Sequence, residues 1–231
     1  MSETISETAS TFESLQVLIH EPDVNADSCI IWLHGLGASA YDFAPITGFI
    51  RQHSQQLGLK MLYPQAPSLA VTINGGMMMP AWYDIFSASP RRTINNHQYQ
   101  AAISAIHSLI QQQVEQGISA ERILIAGFSQ GGAIAYQATC GFPQRLAGAI
   151  CLSTYLAEPL KIKPCNAQLP MFIGHGSHDT VVPKMLGQEA LEWLRENNFS
   201  PVWKEYPLQH EVSEDELQDV AEFIGQLLSA R

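Results

Sequence analysis

Short runs of apolar, β-branched and aromatic residues recur along the chain, separated by stretches in which apolar residues return every third or fourth position. Seven runs have strand character: residues 15–20, 30–34, 59–63, 122–126, 149–153, 170–174 and 202–206. Each is short and bounded by polar or turn-forming residues. Between them, residues 96–115 place Ala102, Ile103, Ile106, Leu109 and Ile110 on one helical face. Residues 130–140, 184–196 and 214–228 also carry a helical pattern. Ser213 with Glu216 three positions later has the signature of a capping box. Strands that alternate with helices predict βαβ units, an α/β fold with a mostly parallel central sheet flanked by helices.

Residues 64–95 break this alternation. They are rich in Pro, Gly and Met, including Pro64, Pro67, Gly75, Gly76, Met77, Met78, Met79 and Pro80. A long irregular excursion inside a compact domain is usually a lid or binding loop. Residues 1–13 read as a flexible polar tail, which leaves 14–231 as one domain. The first residues lack the basic start and apolar stretch of a secretion signal. No apolar run approaches the roughly 20 residues that span a bilayer. A cytoplasmic protein without a membrane anchor is expected.

The formal charge of −10 repels phosphate backbones, so nucleic acid is not an expected partner. Cys29, Cys140, Cys151 and Cys165 form no C-x-x-C pair and sit in or beside apolar sequence, as reduced thiols do.

Gly127-Phe128-Ser129-Gln130-Gly131 is a G-x-S-x-G motif. Alone it is a weak signal. Here a predicted strand precedes it and a helix-forming run follows, the strand–turn–helix setting of a nucleophile elbow. Such a turn is strained, and side chains at the flanking positions would collide with the adjoining elements, which is why Gly127 and Gly131 stand there.

A serine hydroxyl needs a base. His210 is the last histidine in the chain and follows the strand 202–206 through a short loop. Elbow-type hydrolases order their triad Ser, then Asp or Glu, then His. Asp179 follows the strand 170–174 and precedes His210, so it is the expected orienter; Glu158, in a polar loop before Pro159, is the weaker alternative. His175, His178 and Asp179 could instead suggest metal ligands, but no further Cys or His cluster stands near them in sequence. Acyl transfer also needs N–H donors for the developing oxyanion. One is expected from Gln130, just after the nucleophile. The other is expected from the glycine-rich loop after the strand 30–34, at Leu36, with Gly37 as the alternative. Met77, Met78, Met79 and Trp82 are expected to contact substrate, because methionine fills irregular apolar space.

Several motifs recur in one family in this order. They are Leu33-His34-Gly35-Leu36-Gly37, Pro64-Gln65-Ala66-Pro67, Pro80-Ala81-Trp82-Tyr83-Asp84, Gly127-Phe128-Ser129-Gln130-Gly131-Gly132, Gly174-His175-Gly176 with Asp179, and His210 before an acidic helix start. The chain resembles the phospholipase/carboxylesterase family of the α/β-hydrolase fold over residues 15–228. That family includes bacterial carboxylesterases of broad specificity, acyl-protein thioesterases and lysophospholipases. Thr72-Ile73-Asn74 with Gly75-Gly76 is similar to the bacterial carboxylesterase branch. The resemblance implies a Ser129–Asp179–His210 triad, oxyanion donors at Leu36 and Gln130, no cofactor, and frequent homodimers. Ala38 departs from the Asp that thioesterase-branch members often carry there, which weakens the transfer of depalmitoylating activity. The expected reaction is hydrolysis of short- to medium-chain carboxylic esters, and of thioesters, through an acyl-enzyme on Ser129. The alternatives are a lysophospholipase or acyl-protein thioesterase and, more remotely, a non-catalytic binding protein on the same fold.

Overall fold

The computed structural model describes residues 12, 15–55, 58–88 and 92–229. Apart from Phe12, which is buried in the core, the expected tail at 1–13 lies outside the described residues.

The seven strands read from the sequence form one seven-stranded sheet. They are β1 (Val17–His20), β2 (Ser28–Leu33), β3 (Leu59–Pro64), β8 (Ile123–Phe128), β9 (Gly148–Leu152), β10 (Met171–Gly176) and β11 (Val202–Tyr206), in the order β1-β3-β2-β8-β9-β10-β11. β1 pairs antiparallel with β3; the other pairs are parallel. β2, β3 and β10 are buried along their whole length, as strands covered on both faces must be. Their side chains still alternate. Cys29, Ile31 and Leu33 enter one core, Ile30 and Trp32 the other.

The helices are α1 (Ala40–Phe43), α2 (Ile46–Ser54), α3 (Asn96–Glu115), α4 (Gln130–Gly141), α5 (Lys184–Glu196) and α6 (Glu214–Ser229). Ala102, Ala133 and Ala190 place α3, α4 and α5 on the first face. Ala40, Ile50 and Ile224 place α1, α2 and α6 on the second. Residues 40–54 show no long helical period in the sequence because two short helices meet there at Pro45.

The described residues of the excursion at 64–95 carry more regular structure than its composition suggests. β4 (Ser68–Val71) and β5 (Met77–Pro80) form an antiparallel hairpin, and β6 (Ile85–Ser87) pairs with β7 (Thr93–Ile94). Gly75 and Gly76, both at φ near +70° to +80°, make the hairpin turn that a β-carbon would strain. Three consecutive methionines hide the alternation by which a strand is recognised.

The expected capping box is half made. Ser213 Oγ accepts the N–H of Glu216 at 3.2 Å. The Glu216 side chain instead lies buried against Gly174, under the sheet. All four cysteines are free thiols, and burial raises Cys29 and Cys140 to about 12.

Candidate active site

The strand order reverses between β2 and β8. From β2 the chain crosses toward β3, and from β8 toward β9, so the loops at their carboxyl ends diverge and leave a crevice. Leu33 is in register with Gly127 across this pair. The glycine loop after β2 and the elbow after β8 are therefore neighbours.

Ser129 sits at φ 55°, ψ −119°, a strained conformation for any residue but glycine. The packing that enforces it is visible. A β-carbon on Gly127 would strike the backbone of Gly131, and one on Gly131 would strike the carbonyls of Leu33 and His34. Leu152 O accepts the Ser129 N–H at 2.9 Å, and Thr154 Oγ1 donates to Ser129 O at 2.6 Å. The elbow is thus held from β9 as well as from its own strand and helix. Thr154 carried no recognisable motif; only its place just past β9 marks it.

Loops after β10 and β11 bring in the remaining groups. His210 Nε2 lies 3.0 Å from Ser129 Oγ, and His210 Nδ1 lies 2.7 Å from Asp179 Oδ2. The second oxygen, Asp179 Oδ1, accepts the N–H groups of Val181 and Val182 at 2.9 and 2.8 Å. Burial pushes the Asp179 pKa up, but the bonds from His210 and Val182, the charge of His210 and the Val181 N–H outweigh it, so the carboxyl stays below its ordinary range. An ionised carboxylate can only accept. Nδ1 of His210 therefore carries the ring proton, and Nε2 is free to take one from Ser129.

Glu158 is not in this chain of contacts. It lines a separate cavity of about 380 Å³ with Arg92, Tyr155, Leu156, Leu186 and Trp193. The cavity borders the site: Arg92 Nη2 donates to Val181 O at 2.8 Å.

The two histidines weighed as metal ligands are held apart in role. His175 is fully buried and its Nε2 lies 2.8 Å from Val182 O, so it braces the turn that feeds two N–H groups to Asp179. Burial lowers its basicity. His178 is exposed, 3.2 Å from Ser177 Oγ.

The oxyanion side separates the two alternatives. Gly37 N–H donates to Pro80 O at 2.8 Å and is therefore occupied. That leaves Leu36. Gln130 opens α4, where a backbone N–H has no carbonyl one turn earlier to meet.

Met77 and Met78 are about two-thirds exposed on β5, and Met79 is half-buried beside Gly37. Trp82 is placed differently from expectation. It is fully buried, and its indole Nε1–H donates to His34 O at 2.9 Å, so it cannot touch a substrate without moving.

A hydroxyl, an imidazole and a buried carboxylate linked in series, on this fold, define a class: serine hydrolases of esters and thioesters on the α/β-hydrolase scaffold. The chain belongs to the phospholipase/carboxylesterase family, whose model matches residues 15–228. It is 34% identical over 221 residues to acyl-protein thioesterase 1 of Saccharomyces cerevisiae, covering 89% of this chain and 95% of that one. It is 35% identical over 211 residues to acyl-protein thioesterase 1 of Neurospora crassa, covering 86% of each. The crystal structure of Arabidopsis thaliana SOBER1 superposes with a TM-score of 0.79 at 28% identity, over 87% of this chain and 99% of that one. Among the described residues no helix is long and apolar enough to cross a membrane.

Proposed function

We propose that the chain hydrolyses short- to medium-chain carboxylic esters, and thioesters as well, through an acyl-enzyme on Ser129. The observation that carries this is the continuous contact from Asp179 through His210 to Ser129 Oγ. Ser129 Oγ attacks the acyl carbonyl while His210 Nε2 takes its proton. The N–H groups of Leu36 and Gln130 meet the oxyanion. His210 then gives the proton to the departing alcohol or thiol, and water repeats the sequence to release the acid. No step needs a metal or cofactor.

The acyl group has two nearby surfaces to use. The 380 Å³ cavity, apolar at Leu156 and Leu186, is at the small end of ligand sites, which favours shorter chains. Met77, Met78 and Met79 offer a second, adaptable surface on the hairpin beside the oxyanion loop. The names of the fungal relatives favour a second reading, an acyl-protein thioesterase. The chemistry is shared; the leaving group differs.

The test is kcat/KM across aryl esters from acetyl to palmitoyl, beside acyl-CoA thioesters, lysophosphatidylcholine and an S-palmitoyl peptide. A maximum between butyryl and octanoyl supports the proposal. A maximum at the S-palmitoyl peptide would replace it with the second reading.

A further inference from the structure

The two oxyanion donors come from distant parts of the chain, one after β2 and one at the start of α4. Their value lies in being fixed before charge develops, so something must hold them at a set distance. The loop carrying Leu36 is flanked by Gly35 and Gly37 and has little stiffness of its own.

The segment from Pro80 to Tyr83 touches both halves. On the elbow side, the Gln130 side chain is buried, and its amide bonds two successive backbone groups there. Its Oε1 accepts the N–H of Trp82 at 2.7 Å and its Nε2 donates to Tyr83 O at 2.8 Å. On the loop side, Trp82 Nε1–H donates to His34 O at 2.9 Å, and Pro80 O accepts the Gly37 N–H at 2.8 Å. Leu36 is thereby held from before and after. The His34 ring completes the fixture. Its Nε2 accepts the Ala66 N–H at 3.0 Å, so Nδ1 carries the proton and donates to Gly35 O at 2.7 Å. The same ring packs against Trp82, with centroids 5.4 Å apart. These bonds form one closed route: Gln130 backbone, Gln130 amide, Trp82, His34 carbonyl, Leu36 backbone.

We propose that Trp82 is a positioning residue for the oxyanion hole, fixing the spacing of the Leu36 and Gln130 donors through its indole bond to His34 and its backbone bond to the Gln130 side chain. It does not touch substrate. It works only if the Leu36 and Gln130 N–H groups act as proposed above, so it rests on that reading.

A brace and a plain core residue differ in what they change. Loss of donor spacing weakens the transition state and leaves ground-state binding alone, so kcat falls while KM holds. Loss of packing lowers stability. The informative variant replaces Trp82 with β-(3-benzothienyl)alanine at that position alone, which keeps the ring's shape and removes only the N–H donor. Trp82→Phe is the encoded companion, read only if its melting temperature stays near wild type. Both are measured for kcat and KM on a butyryl aryl ester, and for affinity toward an alkylboronic acid, whose tetrahedral adduct on Ser129 puts an oxygen in the hole.

Removing a direct oxyanion donor costs on the order of a hundred- to a thousand-fold. Displacing one through its brace should cost roughly tenfold in kcat, with KM within about twofold, and weaken the boronic acid by the same factor. Wild-type kcat and boronic acid affinity in the folded benzothienyl variant overturn the brace. A raised KM with unchanged kcat also overturns it, and returns Trp82 to substrate contact. If Ser129→Ala leaves hydrolysis intact, the underlying reading fails instead, whatever Trp82 does.

Discussion

The sheet edge that carries Ser129, Asp179 and His210 and the hairpin β4–β5 are joined by a hydrogen bond from Gly37 to Pro80, yet they are built on opposite terms. At the sheet edge the elbow is fixed by glycines with no room for a β-carbon, and Asp179 is a buried carboxylate with each oxygen bonded. On the hairpin Met77 and Met78 face outward, exposed. Chemistry that fails when atoms move by an ångström suits the first kind of structure. Recognition of varied acyl groups suits the second. The comparison predicts that substitutions at the sheet edge collapse kcat, and that substitutions on the hairpin change KM in a way that depends on chain length.

The largest expected effect is at the nucleophile. Ser129→Ala should lower kcat on the order of a million-fold while circular dichroism and melting temperature stay near wild type. A folded variant with a tenth of wild-type activity would take Ser129 out of the mechanism. Next comes Asp179→Asn, which keeps the shape but favours the wrong imidazole tautomer and should cost on the order of ten-thousand-fold. If Glu158→Gln produced that loss and Asp179→Asn did not, the orienter would be misassigned.

Much of this edge was readable from the chain, because its constraints are local. The elbow is five consecutive residues whose glycines answer to the neighbouring backbone, and a strand before with a helix after fixes its setting. Asp179 and His210 could be placed because each follows a strand and chain order does the rest. Other residues were unreadable for physical reasons. Trp82 looked like a pocket residue because an aromatic in a Met-rich loop has no sequence mark for burial, and its bond to His34 spans 48 positions. Thr154 holds the elbow carbonyl from just past another strand. The bond that engages the Gly37 N–H comes from Pro80, on a hairpin far along the chain.

A smaller effect tests the rigid region from beneath. Glu216 is buried against Gly174 with Oε1 unpartnered, and burial, followed by the charge of Asp219, pushes its carboxyl up to about 8. In the unfolded chain it ionises near the ordinary value of about 4.3. Between those values the folded state holds a proton that the unfolded state has lost, so stability falls as pH rises from about 4.5 to 8 and then levels. Glu216→Gln should flatten that slope, gaining on the order of a few kcal/mol at pH 8 relative to pH 5. Thermal melts of both proteins across that range check it; parallel slopes would place the ionised form in the fold.

The smallest effect belongs to the hairpin. Replacing Met78 and Met79 with Ser should raise KM for longer acyl chains by roughly tenfold per lost contact of about 1–2 kcal/mol, with little change in melting temperature. Lower stability with an unchanged chain-length preference would make these methionines packing residues and remove the contrast with the sheet edge.

The central claim is that turnover passes through a covalent bond to one hydroxyl. It is tested most directly by treating the native protein with a fluorophosphonate and locating the adduct by peptide mass spectrometry. The account predicts one label per chain, on Ser129, with activity lost in proportion to labelling and with Ser129→Ala left unlabelled. Full activity after exhaustive treatment, or inactivation with the label on another residue, would contradict it.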